Sequence, residues 1–303
     1  MVRFGREPSK TDIRWQLLLG LLLVMSLGCG GLAAVRATWV AYPPRKSLEH
    51  TPTDLDLDYE DVTFTTASGI EIVGWYIAPQ NEAVVILTHG YGGNRSDNLL
   101  LAQMLVEQGY GVLLIDLVAH GESGGTRMSL NGQEVRAGVA YIVQRAAGAD
   151  WRIGVWGFSL GGLGALQAAA QTPELLGVIA DGPFPVARHE DMPPRQTLGE
   201  WFWWPYDEVQ WQNWRLQGVT PALSTCQALQ QSTSPVYLIS GIENYGEYRV
   251  QRYYHAVAPE RITLWEVAGA GHVESWATQR AAYERRVLEF LEQTLLAEPS
   301  ALP

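Results

Sequence analysis

Residues 152–170 read RIGVWGFSLGGLGALQAAA, and this stretch decides the fold. IGVWG is a short continuous apolar run, the form a strand takes when both its faces are covered, and LGGLGALQAAA reads as helix. Between them Gly157-Phe158-Ser159-Leu160-Gly161 matches G-x-S-x-G and extends to Gly162. A serine on a sharp strand-to-helix turn needs small neighbours, because its backbone is strained and the helix must pass close to adjacent strands. The helix N-terminus beneath it favours developing negative charge. The five-residue pattern alone is common. With a strand before it and a helix after it, Ser159 reads as a nucleophile rather than as an incidental serine in a glycine turn.

The same rhythm continues on both sides. Residues 83–88 (AVVILT) and 112–116 (VLLID) are buried-strand runs, and 153–157, 177–180, 236–240 and 262–267 repeat that character. Residues 61–66 and 70–77 flank Ala67-Ser68-Gly69 and read as a hairpin. Helices are expected over 98–108, 134–146, 160–171, 249–257 and 273–296. Alternation of this kind predicts the α/β class: a mostly parallel, doubly wound sheet with helices on both faces and an antiparallel hairpin leading in.

Two further loops carry chemistry. Thr88-His89-Gly90-Tyr91-Gly92-Gly93-Asn94 follows the strand AVVIL, and glycines there let a backbone N–H turn toward an oxyanion. The expected donors are the N–H groups of Tyr91 and of Leu160, the residue after the serine. His89 ends its strand before this loop, where an imidazole braces the loop instead of acting as base. Gly269-Ala270-Gly271-His272 follows the last strand, and a loop histidine there, downstream of the serine, can reach its hydroxyl as general base.

The stretch 183–234 shows no clear strand and is too long for a plain connection. It holds Trp201, Trp203, Trp204, Trp211 and Trp214 and is expected to pack as a small helical cap over the carboxyl edge of the sheet. Its indoles either fill the cap's own core or form an apolar wall over a substrate pocket, with Trp201, Trp203 and Trp204 as the pocket candidates.

Residues 15–35 carry no charge and as a helix would span roughly 31 Å, about the hydrocarbon thickness of a bilayer. Arg3, Arg6, Lys10 and Arg14 precede the run. The expectation is a transmembrane anchor at 15–35 with residues 1–14 in the cytoplasm and the body outside it, or a secreted protein if the segment is a cleaved signal. Residues 36–58, with Pro43, Pro44 and Pro52, read as a linker. The catalytic core is then expected over 59–182 and 235–297.

Composition excludes several classes. The 303 residues are 47% hydrophobic and carry a formal charge of −11, so nucleic acid is not an expected partner. With two cysteines, one inside the apolar run, there is no disulfide framework and no Cys-based zinc site. H-E-x-x-H and the phosphate-binding G-x-x-x-x-G-K-[ST] are both absent. Neither a metal nor a cofactor is expected.

The body from residue 57 to 296 resembles the α/β-hydrolase superfamily, and more narrowly the bacterial membrane-anchored or secreted serine hydrolases of the prolyl-oligopeptidase-like and dienelactone-hydrolase-like branches. The resemblance rests on VTFTTASGIEIVGWYIAP, VVILTHGYGGNRSDNLLLAQMLVEQGYGVLLIDLVAHGESGG, RIGVWGFSLGGLGALQAAA, VIADGPF and GAGH. It implies Ser159 as nucleophile, His272 as base, and Tyr91 and Leu160 as oxyanion donors.

At one position the chain departs. The family usually carries its acid after the seventh strand in the pattern H-G-x-x-D, and here the segment reads Ser240-Gly241-Ile242-Glu243-Asn244. Asn244 can accept a hydrogen bond from imidazole but cannot stabilise an imidazolium by charge. Glu243 is the favoured acid, Asn244 an alternative as neutral orienter, and Glu247 and Asp181 are further carboxylates within reach. The loop arginine that the family tends to place before H-G-x-S is also missing from Val118-Ala119-His120-Gly121-Glu122-Ser123.

Two functions follow. One is a serine hydrolase acting on a small-molecule or peptide ester or amide through an acyl-enzyme. The other, motivated by Asn244, is a degenerate α/β-hydrolase that binds a ligand or partner without turnover.

Overall fold

The computed structural model describes residues 15, 20, 28, 30–183, 189–221 and 223–297; the side chains of Glu200, Phe202 and Trp203 are outside that description. Eight strands form one sheet: β1 (Glu60–Thr65), β2 (Glu71–Ile77), β3 (Ala83–Thr88), β4 (Gly111–Ile115), β5 (Arg152–Phe158), β6 (Leu175–Asp181), β7 (Val236–Gly241) and β8 (Ile262–Val267). Their order is β1-β2-β4-β3-β5-β6-β7-β8. The first two strands run antiparallel to their neighbours, and all later pairings are parallel.

Buried runs explain the sheet. Every residue of β3, β4 and β7 is buried. Alternate side chains feed two separate cores. Val84, Ile86, Leu113 and Val155 face one layer, while Val85, Leu87, Leu114 and Trp156 face the other. Period-two alternation therefore divides even a continuous apolar run between two helical layers. Helices α2 (Leu99–Glu107), α3 (Gln133–Ala146), α4 (Leu160–Ala169), α7 (Tyr245–His255) and, after the short α8 (Ser275–Thr278), α9 (Arg280–Leu291) cover the faces.

Strand order also fixes where chemistry can occur. The chain moves from β3 outward to β4, then returns to pair β5 on the other side of β3. Open α/β sheets bind ligands in the crevice at such a reversal, beyond the carboxyl ends of the strands. Tyr91 follows β3 and Ser159 follows β5, so both loops open onto that crevice.

In the region 183–234, residues 184–188 and 222 lie outside the described residues, and the rest holds α5 (Leu198–Leu216) and α6 (Thr225–Gln231). Ser224 starts α6 with a reciprocal capping box to Gln227.

The membrane anchor expected over 15–35 is corrected, and with it the membrane-bound location built on it. Among the described residues no helix is long and apolar enough to cross a membrane. Residues 1–14, 16–19, 21–27 and 29 lie outside the described residues. The end of the apolar run belongs to a helix, α1 (described without a break over residues 30–41), that packs on the body. Ala33, Ala37 and Ala41 are fully buried, and Ala37 and Ala41 share a core with Leu160, Leu163 and Trp214. Of the described residues of the run Ala33 is fully buried, while Trp15, Leu32 and Val35 are exposed.

The residues after α1 are fastened as well. Asn94 donates to the carbonyls of Lys46 and Ser47, and the Lys46 ammonium pairs with Asp97 at 3.0 Å. The stretch expected as a linker thus runs as a strap across the carboxyl edge of the sheet.

Candidate active site

Ser159 sits between β5 and α4 with φ 51° and ψ −109°, a conformation that an L-residue holds only when its surroundings enforce it. The flanking glycines are the means. A Cβ on Gly157 would come 2.3 Å from the Gly161 carbonyl oxygen, and one on Gly161 would come 2.6 Å from both His89 O and Thr88 Oγ1. The Ser159 N–H donates to Asp181 O at 2.9 Å, tying the turn to the end of β6.

His272 reaches Ser159 from the loop after β8. Its Nε2 lies 3.0 Å from Ser159 Oγ, and its Nδ1 lies 2.5 Å from Glu247 Oε2. With Nδ1–H donating to the carboxylate, Nε2 is free to accept from the hydroxyl. Glu247 is only 4% exposed on its side chain, whereas His272 is 44% exposed. Gln251 Nε2 donates to Glu247 Oε1 at 3.0 Å, so both carboxylate oxygens have partners. The Glu247 hydrogen bond, reinforced by the charges of Glu247 and Asp181, raises the His272 pKa above its ordinary 6.5 against the opposing effect of burial.

The acid expected from the sequence is therefore corrected in its geometry. Glu243 is exposed and its backbone N–H bonds Ala270 O at 3.1 Å. Asn244 is the N-cap of α7, and its Oδ1 accepts from Glu247 N at 3.4 Å. Glu247 is the third residue of that helix, and its side chain turns back over the first turn. The signal was present in the sequence: Asn244-Tyr245-Gly246-Glu247 has the spacing of a capping box, with the glutamate at the position that folds back toward the strand end. The helix N-terminus also favours a negative charge there.

Behind this line lies a second carboxyl. Asp181 ends β6 at 1% exposure, and its Oδ2 accepts from Tyr283 OH at 2.7 Å. Burial pushes its pKa up to about 7, aided by the nearby Glu247 charge.

On the opposite side, Leu160 is the first residue of α4, where a backbone N–H has no acceptor within the helix. A Cβ on Gly90 would lie 3.5 Å from Ser159 Cβ, so the loop that carries Tyr91 runs beside the serine. His89 is buried, donates from Nδ1 to Gly90 O at 2.7 Å, and accepts at Nε2 from Leu117 N at 3.0 Å. Burial lowers its pKa to about 4, leaving a neutral ring that braces two loops. The loop after β4, which lacks the family's arginine, is held instead by Arg45. Its guanidinium donates to the carbonyls of His120, Gly121, Ser123 and Gly125 at 3.2, 2.8, 2.7 and 2.8 Å.

A cavity of about 610 Å³ opens at Ser159 and His272. Val40, Leu101 and Trp276 supply apolar wall, and Gln210 is the contribution of α5. Neither Trp201 nor Trp204 lines it, which corrects the pocket expected there; they are 57% and 40% exposed. Both rings stack with the Arg195 guanidinium, 5.3 and 5.5 Å from their centroids. The Trp203 side chain lies outside the described residues. Trp214, by contrast, is 1% exposed and is core.

A mostly parallel eight-stranded sheet, a strained serine at a strand-to-helix turn, and a histidine loop after the last strand define an α/β hydrolase. The model of the serine aminopeptidase (S33) family matches residues 79–256, and the chain belongs to that family. Among characterised relatives it is similar to the quorum-quenching protein AidA of Acinetobacter baumannii, 28% identical over 149 residues, covering 46% of this chain and 47% of that protein. It is also similar to Lipase 3 of a Moraxella species, 26% identical over 160 residues, covering 52% of this chain and 48% of the other. The chain thus spans about half the length of the curated relatives it matches. Among solved structures it is similar to the esterase Pf2001 of Pyrococcus furiosus, with TM-score 0.68 and 26% identity over 84% of this chain and 98% of that one. The hydrolase GrgF of a Penicillium species, at 18% identity and TM-score 0.58 over 80% of this chain and 100% of the other, shares the fold.

Proposed function

We propose that the protein is a serine hydrolase that cleaves an ester or amide bond of a small molecule or peptide through an acyl-enzyme. The observation that carries this reading is the continuous line from Ser159 Oγ through His272, 3.0 Å away at Nε2, to Glu247, 2.5 Å from Nδ1. Ser159 attacks the carbonyl carbon while His272 Nε2 takes its proton, and the Glu247 carboxylate stabilises the imidazolium that forms. The oxyanion is received by the N–H groups of Tyr91 and Leu160. His272 then returns the proton to the leaving alcohol or amine, and water repeats the sequence in reverse. Esterase and lipase relatives support an ester as the first substrate class to test.

The binding-protein alternative was motivated by the neutral Asn244. The Glu247 carboxylate at hydrogen-bond distance from His272 supports the hydrolase reading over it.

A fluorophosphonate probe tests the proposal. Covalent labelling of the full-length protein, abolished in Ser159→Ala, is expected. Folded protein that neither labels nor hydrolyses p-nitrophenyl acetate would overturn it.

A further inference from the structure

The cavity at Ser159 has a wall that the matched family region does not contain. Arg36 and Val40 of α1 line it, and both precede residue 79, where the family match begins. Helical geometry accounts for this. Ala33, Ala37 and Ala41 recur every four residues and form the buried stripe that seats α1 on the body. Arg36 and Val40, also four apart and one position before two of those alanines, lie on the flank of the stripe and reach the cavity. The third face points outward, with Leu32, Val35 and Trp39 each 68–69% exposed.

The seat is specific. Trp214 Nε1 donates to Ala37 O at 2.9 Å, Met128 N donates to Ala41 O at 2.9 Å, and Arg45 fixes the chain four residues beyond through its carbonyl clamp. Alanines at the contact let the helix approach closely enough for Val40 to close the cavity against Leu101, Val273 and Trp276.

We propose that α1 is the specificity wall of this hydrolase, with Val40 setting the bulk of the uncharged apolar acyl group that the cavity accepts; the proposal rests on the serine-hydrolase reading above. Four apolar side chains, Val40, Leu101, Val273 and Trp276, offer such a group contact area, while Arg36 and Asp97, of opposite charge, belong to the polar part of the lining. A hydrophobic pocket discriminates chain length through the volume it leaves open.

The test compares kcat/KM for p-nitrophenyl octanoate and acetate in the full-length protein, with circular dichroism to confirm folding. Val40→Trp adds bulk to the cavity wall and is expected to lower the octanoate-to-acetate ratio at least ten-fold. Val40→Ala, which only removes bulk from a helix, is expected to raise the ratio three-fold or more. Trp39→Ala, on the outward face, is the control and leaves the ratio unchanged. An unchanged ratio in folded Val40→Ala, with acetate hydrolysed and Ser159 labelled by the fluorophosphonate, would overturn the wall while leaving the hydrolase reading standing. Failure of wild-type labelling would instead strike the hydrolase reading itself.

Discussion

Glu247 and Asn244 are bonded to each other twice: Glu247 N donates to Asn244 Oδ1 at 3.4 Å, and Asn244 Nδ2 donates to Glu247 Oε2 at 3.3 Å. The oxygen that faces His272 is thus also oriented from the side by the carboxamide at the family's usual acid position. Asn244 does not touch the imidazole in place of an aspartate. It caps the helix that carries the carboxylate, and the charge reaches His272 from one helical turn further along.

Glu247→Gln keeps the shape of this contact and removes its charge. In a serine protease the equivalent change lowers turnover about 10⁴-fold, and a loss of roughly 10²–10⁴ in kcat is expected here. Glu243→Gln, altering an exposed side chain, is expected to stay within about two-fold of wild type. Steady-state kinetics on p-nitrophenyl acetate separates the two.

Asn244→Asp preserves the cap, because aspartate caps as well as asparagine, but the new charge beside buried Glu247 is expected to lower thermal stability at neutral pH. It exchanges a donor to Glu247 Oε2 for a second negative charge at that distance. Like-charge repulsion then draws a proton onto the pair and turnover falls, the reverse of what restoring a missing acid would do. Asn244→Ala loses the cap and is expected to cost about 1 kcal/mol in urea denaturation.

All eight strands were legible because each is an uninterrupted apolar or alternating run bounded by turns, and the strand-to-helix turn at Ser159 was legible because glycines at 157, 161 and 162 beside a strand end permit its close approaches. The carboxylate that meets His272 was legible only as one of several, because position after β7 pointed first to Glu243 and Asn244, while the geometry depends on side-chain direction in the first turn of α7. Residues 15–35 misled for a different reason. Hydropathy gives no sign that the end of the run, from residue 30, continues as a helix to residue 41 whose alanines seat on the body. The pocket wall was missed because Arg36 and Val40 fall in the stretch read as a linker.

The raised pKa of His272 predicts the acid limb of activity. His272 must be neutral to accept the Ser159 proton, so kcat/KM should rise with pH through a midpoint above 6.5. The Glu247 hydrogen bond is the largest cause of the elevation. Residual activity in Glu247→Gln should therefore show a midpoint displaced to lower pH. The stability linkage has the matching sign: the His272–Glu247 pair contributes in full below the unfolded histidine value, and that contribution is lost as pH rises through the folded one.

Asp181 gives a prediction that concerns folding. Its side chain is buried, with Tyr283 donating to one oxygen, and its pKa stands at about 7 against 3.8 for the free group. Between those values the folded state holds a proton that the unfolded chain releases, so this group's contribution to stability falls as pH rises from about 4 to 7 and is level above that. Asp181→Asn keeps an oxygen to accept from Tyr283 OH and removes the ionisation. Relative to wild type, the variant should be little changed at pH 4 and progressively more stable toward pH 8. Thermal melts at pH 4, 6 and 8 check this directly. A difference in Tm that does not grow with pH would mean that Asp181 is already ionised in the folded protein at acid pH.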